Sequence, residues 1–167
     1  MKKTLILGIG NPLLSDDGIG PRIVQDLEGT LDSDVFDFFS VYVCDMDLIN
    51  TIEGYENLVI IDGKITQTGK PGEITIYSDQ NYDGMAHLDN YHDISFRDLV
   101  KLGRDIELNI PNIIHIVGIQ IIEDKTFSEE LSLPLQNSYK SIFQKIKVFT
   151  EDLVQDITTN LNHEAIR

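Results

Sequence analysis

The run Leu5-Ile6-Leu7-Gly8-Ile9-Gly10-Asn11-Pro12-Leu13-Leu14-Ser15-Asp16-Asp17-Gly18-Ile19-Gly20-Pro21 constrains this chain more than any other segment. Leu5 to Ile9 is apolar without alternation, the pattern of a strand covered on both faces, as in an α/β sheet. Gly8, Gly10 and Gly18 permit a sharp turn at the strand's carboxyl end. That turn carries Asp16 and Asp17 to the edge where open α/β sheets build their sites. Leu58-Val59-Ile60-Ile61-Asp62-Gly63 repeats the design: an apolar strand ending in a carboxylate and a glycine.

The elements between follow from periodicity. Ile19, Ile23, Val24 and Leu27 recur at helical spacing and predict a helix over Asp17 to Glu28, with Pro21 in its first turn. Asp34 to Cys44 is β-rich and reads as a second strand, and a short helix follows over Asp47 to Tyr55. A glycine and proline turn at Gln67 to Gly72 leads into a strand over Glu73 to Tyr77, expected as an antiparallel edge. Ser78 to Asp93 has little periodicity and reads as an exposed loop. Phe96, Leu99, Val100 and Gly103 mark a helix that Asp93 or Ser95 is placed to cap, and Ile113 to Ile121 is the last strand. A long amphipathic helix over Ser138 to Asn160, with a polar tail at 161–167, closes the chain. Strands alternating with helices in this order predict one domain over residues 1–167. Its fold is a three-layer α/β/α sandwich around a five-stranded, mostly parallel twisted sheet.

A formal charge of −15 disfavours nucleic acid as a partner. No apolar run reaches membrane-spanning length, and Lys2-Lys3 leads straight into a core strand, so the expectation is a soluble cytoplasmic monomer. The single cysteine, Cys44, excludes an internal disulfide and multi-thiolate metal binding; at a strand end without a basic neighbour it reads as a buried, inert thiol.

Asp17, Asp62 and a histidine of the 78–93 loop would converge at one sheet edge, a donor set suited to a borderline divalent metal such as nickel or zinc. The competing structural reading has Asp16, and less readily Asp17, cap the following helix, and Asp62 only satisfy loop amides. His92, just before a helix start, is the preferred imidazole over His87, while His115 reads as a structural histidine of a core strand and His163 lies in the tail. Gly8-Ile9-Gly10 invites a dinucleotide-binding reading. Leu13 stands where the third glycine of that fingerprint belongs, and the two aspartates would repel a pyrophosphate.

With these motifs read, together with Ile60-Ile61-Asp62 and His92 ahead of Phe96 and Leu99, the chain resembles the hydrogenase maturation proteases over nearly its whole length. In that family an endopeptidase removes a C-terminal extension from the large-subunit precursor of a nickel-iron hydrogenase after nickel insertion. The resemblance implies the same sandwich fold. It further implies that Asp17, Asp62 and His92 are the metal-contacting and catalytic set, and that nickel, carried by the substrate's cysteines, is the recognition element. The chain departs from the family pattern at Val43-Cys44-Asp45-Met46-Asp47-Leu48, where a Gly-Gly-Thr-like turn is usual, and at Asn90, where a small residue precedes the histidine. Two rivals share the aspartate pattern. A receiver-like phosphoacceptor domain would need a lysine soon after the last core strand, where none stands before Lys125, and a general metallo-hydrolase would carry its own metal.

Overall fold

The computed structural model describes residues 4–83, 85–88 and 94–164, those from 154 onward as backbone alone. Five strands form one sheet in the order β2-β1-β3-β5-β4: β1 (Thr4–Ile9), β2 (Phe36–Val41), β3 (Asn57–Lys64), β4 (Ile74–Ser78) and β5 (Ile113–Gln120). All neighbours are parallel except β4, which runs antiparallel to β5. Every residue of β1 and β3 is buried, which is why both strands read as unbroken apolar runs rather than alternating ones.

The helices cover both faces. On one, α1 (Ile19–Glu28) and α4 (Leu133–Glu164) pack Ile19, Ile23, Leu27, Leu135, Ile142 and Ile146 onto Ile6, Val59, Ile61, Val117 and Ile119. On the other, α2 (Leu48–Ile52) and α3 (Phe96–Asp105) set Leu48, Ile52, Phe96 and Leu99 against Leu5, Leu7, Leu58 and Ile60. This is the three-layer sandwich expected, with β4 as the antiparallel edge. Ser95 caps α3, its Oγ accepting the Asp98 N–H at 3.1 Å.

Several boundaries differ from the periodicity, α2 for one ending at Ile52 rather than Tyr55, and three of them have a visible cause. Residues Ser15–Gly18 form a separate 3-10 turn before α1, because Ser15 takes a φ of 51° and the Asp17 N–H donates to the Leu14 carbonyl at 3.1 Å. β2 starts at Phe36 because Asp32 closes a turn in front of it, accepting the Asp34 N–H on Oδ1 and those of Val35 and Phe36 on its carbonyl. α4 begins at Leu133, with Pro134 tolerated in its first turn, and continues to Glu164.

Two glycines bring the strand ends and α1 together. Gly10 has a φ of 132°, and a Cβ there would overlap the Asp17 carbonyl oxygen. A Cβ on Gly20 would overlap the Ile61 carbonyl oxygen and lie 2.6 Å from that of Ile9. The first turn of α1 therefore rests directly on the backbone just ahead of Asp62 and Gly10.

Candidate active site

Asp17 leaves the 3-10 turn after β1, and Asp62 stands near the carboxyl end of β3, one strand over. Between them lies His87. Its Nε2 is 3.2 Å from Asp17 Oδ1 and its Nδ1 2.9 Å from Asp62 Oδ1. Asp62 is fully buried and Asp17 nearly so, whereas the His87 side chain keeps 16% of its surface exposed, so the triad meets solvent through the imidazole.

The electrostatics follow from burial. Removal from water is the largest influence on Asp62 and pushes its carboxyl up to about 6; His87 opposes this and the Asp17 charge adds to it. Burial pulls His87 down, but its bonds to Asp17 and Asp62 and the charges of both outweigh that and raise it to about 10. Both ring nitrogens can donate at once only in the imidazolium, the form these carboxylates favour. Asp62 Oδ2 is buried with no hydrogen-bond partner among the described residues, a cost of about 1–3 kcal/mol that native structures seldom leave standing without a purpose.

The carboxylates are held by separate devices. The Asn11 N–H donates to Asp17 Oδ2 at 2.6 Å, which folds the turn back over the site. Asp16 points the other way and has a structural task. Its Oδ1 accepts the Ser132 N–H at 2.6 Å, and its Oδ2 accepts the Ser132 hydroxyl at 2.8 Å and the Glu123 and Ile122 amides at 3.2 and 3.4 Å. Neither aspartate caps α1 with its side chain. Ser15, beside them in its left-handed conformation, is held by an N–H bond to the Ser128 carbonyl at 2.8 Å and a hydroxyl bond to that of Glu130 at 3.0 Å.

His87 is set in place by its neighbours. Tyr82, Met85 and Leu88 are buried in the core, the Tyr82 hydroxyl donates to the Leu88 carbonyl at 3.3 Å, and the same carbonyl accepts the Phe96 N–H at 2.9 Å. The described part of this loop is thus anchored, partly against the exposed loop expected, because Tyr82, Met85 and Leu88, three residues apart, turn into the core while Asp83 and Ala86 between them stay exposed. His92 and Asn90 lie outside the described residues. Among the described residues, no three His, Cys, Asp or Glu side chains surround one open position suited to a metal; the His87 ring itself fills the space between the carboxylates.

The remaining candidates fall away from the site. His115 packs edge-on against Phe149, ring centres 5.5 Å apart, and burial pulls its pKa down, as suits a structural histidine. Of His163 only the backbone, inside α4, is described. The Cys44 thiol is buried and pushed up to about 12 by burial, then by Asp45 and Asp62, so it is not a thiolate nucleophile. Gln120 closes β5, where a phosphoacceptor switch would need its lysine. Among the described residues no helix is long and apolar enough to cross a membrane.

Comparison with known proteins bears on the family and the fold. The sequence model of the hydrogenase maturation protease family (HycI) matches residues 21–148. The hydrogenase 2 maturation protease of Escherichia coli K12 is 32% identical over 79 residues, 47% of this chain, and the match spans about half (48%) of that protein. The hydrogenase maturating endopeptidase HybD of E. coli superposes with a TM-score of 0.69 at 22% identity, covering 86% of this chain and 89% of that one. The [NiFe] hydrogenase maturation protease HybD of Thermococcus kodakarensis superposes at 0.62 with 26% identity, over 90% of this chain and 98% of that one. With the sequence match extending over most of its length and the sandwich shared with these structures, the chain belongs to the hydrogenase maturation protease family.

Proposed function

We propose that this protein is the endopeptidase that removes the C-terminal extension of a nickel-iron hydrogenase large-subunit precursor after nickel insertion. The observation that carries this reading is the meeting of two buried carboxylates at one sheet edge, Asp17 from the turn after β1 and Asp62 from the end of the adjacent β3. Family membership supplies the reaction class.

Nickel belongs to the substrate in this reading. Held by the precursor's cysteines, it reaches Asp17 and Asp62 in place of the His87 ring, and Asp62 Oδ2, without a hydrogen-bond partner among the described residues, gives it a ready donor. The imidazole that completes the set comes from the same loop, and His92 is that residue by its motif. Contact with nickel seats the scissile peptide at the sheet edge, so an unloaded precursor is not engaged. Water then attacks the carbonyl; the state of Cys44 leaves no cysteine route to an acyl-enzyme.

The test is to mix the protein with a large-subunit precursor, with and without nickel, and weigh the products. Cleavage is expected of the nickel-loaded precursor alone, and equal cleavage of the metal-free precursor would overturn the recognition role of nickel. Asp17→Asn and Asp62→Asn are expected to remain folded and to process about 100-fold more slowly or worse, in line with the loss of an essential metal contact. His92→Ala should behave likewise while His87→Ala keeps processing. The reverse pattern would transfer the imidazole's role to His87.

A further inference from the structure

β2 is an edge strand, and among the described residues no other strand covers its outer side. The Thr4 N–H donates to the Val35 carbonyl and the Gly10 N–H to that of Val41. In a parallel ladder the residues of one parity face the partner strand, so Val35, Asp37, Phe39 and Val41 serve β1, and the backbone groups of Phe38 and Ser40 face outward. Such an edge is a ready template for another chain, and folds blunt it with charge, proline or a cover unless it is used. Here it carries Phe39, half exposed, and leads to Tyr42, 63% exposed.

Beside this edge runs a groove of about 400 Å³, lined by Phe39, Val41, Tyr42, Val43 and Leu48 together with Asp45 and Asp47. Its floor is apolar and its charged lining acidic. The strand that lines the groove is bonded to β1, whose following turn carries Asp17. The Val41 carbonyl takes the Gly10 N–H at 3.1 Å, Gly10 abuts the backbone of Asp17, and the Cys44 thiol feels the charge of Asp62.

We propose that the outer edge of β2 and this groove receive the precursor segment next to the scissile bond as an added strand. This deepens the proposed function and rests on it. The segment is an extended peptide whose apolar side chains enter the groove and whose basic side chain meets Asp45 and Asp47. Strand addition takes affinity from main-chain hydrogen bonds and selectivity from pockets for alternate side chains, and β2 with its groove supplies both. Six residues of β2 span about 20 Å, enough to pair with an extended peptide over several residues. An endopeptidase acting on a folded precursor needs this extended presentation, because a scissile bond within a helix or turn does not lie flat along a sheet edge.

Ser40→Pro tests the main-chain part. Its N–H faces away from β1, so proline removes an outward donor while sparing the ladder, and edge strands tolerate proline at such positions. The probe is a labelled synthetic peptide spanning the junction between mature chain and extension of the precursor, with binding read by fluorescence anisotropy. Ser40→Pro and Phe39→Asp are each expected to weaken binding at least tenfold, and Asp45→Asn with Asp47→Asn to flatten its dependence on salt. Ile76→Asp, on the opposite edge strand β4, should leave it unchanged. Absence of binding to the wild-type protein, or affinity unaltered in both Ser40→Pro and Phe39→Asp, overturns the inference. Processing of the nickel-loaded precursor separates the two readings. Normal processing by Ser40→Pro sinks the docking edge and leaves the endopeptidase intact, whereas edge-dependent binding without cleavage by the wild-type protein sinks the endopeptidase alone.

Discussion

Asp16→Ala is expected to lower the free energy of unfolding by about 3 kcal/mol or more, since a buried charged acceptor would vanish and leave its donors unmatched. Asp16 is fully buried and accepts from Ile122, Glu123 and twice from Ser132. Those donors belong to the segment after β5 and the approach to α4, so one side chain fastens the turn after β1 to two distant stretches of chain. Against a typical domain stability of about 5–15 kcal/mol, the loss is large. Urea denaturation followed by circular dichroism measures it. Ser132→Ala, which removes only one hydroxyl donor and keeps the amide, should cost about 1 kcal/mol. Equal midpoints for wild type and Asp16→Ala would show that water replaces the carboxylate without penalty.

Gly20→Ala is the second large effect, and its sign is the informative part. In a helix interior, exchanging glycine for alanine ordinarily stabilises by about 1 kcal/mol. Here the new methyl would meet the carbonyl oxygens of Ile61 and Ile9, both backbone atoms of buried strands that cannot turn aside. α1 would have to lift off the sheet, loosening Ile23 and Leu27 from the core. A loss of about 3 kcal/mol is expected, the upper end for overpacking. The lift also shifts the segments carrying Asp17 and Asp62, so processing should fall with stability. Gly29→Ala is the matched control. It sits at the end of the same helix with a φ of −76° and only one atom within 4 Å, at 3.7 Å, and should gain about 0.5 kcal/mol. Thermal melts of the two variants should therefore move in opposite directions.

The sheet was legible because β1 and β3 sit at its centre, where burial on both faces leaves an unbroken apolar run that no surface strand shows. The antiparallel β4 was legible from the turn residues before it. Convergence of Asp17 and Asp62 followed from strand ends alone, since parallel neighbours place their carboxyl termini side by side. The task of Asp16 was not legible: its donors lie 106 to 116 residues away, and no local pattern records a contact of that range. The placement of His87 escaped for another reason. Tyr82, Met85 and Leu88 hold its loop at intervals of three residues, and three apolar positions amid polar ones are too few to stand out from a solvated loop.

Cys44 has a practical consequence. It is the chain's single cysteine, wholly shielded, and sits on the strand-to-helix connection whose neighbours line the docking groove and whose thiol senses Asp62. A thiol reagent can reach it only when that connection swings open, so the rate of modification clocks the opening of this corner of the molecule without any engineered label. A peptide seated along the edge strand would slow that clock, and one bound elsewhere would leave it running.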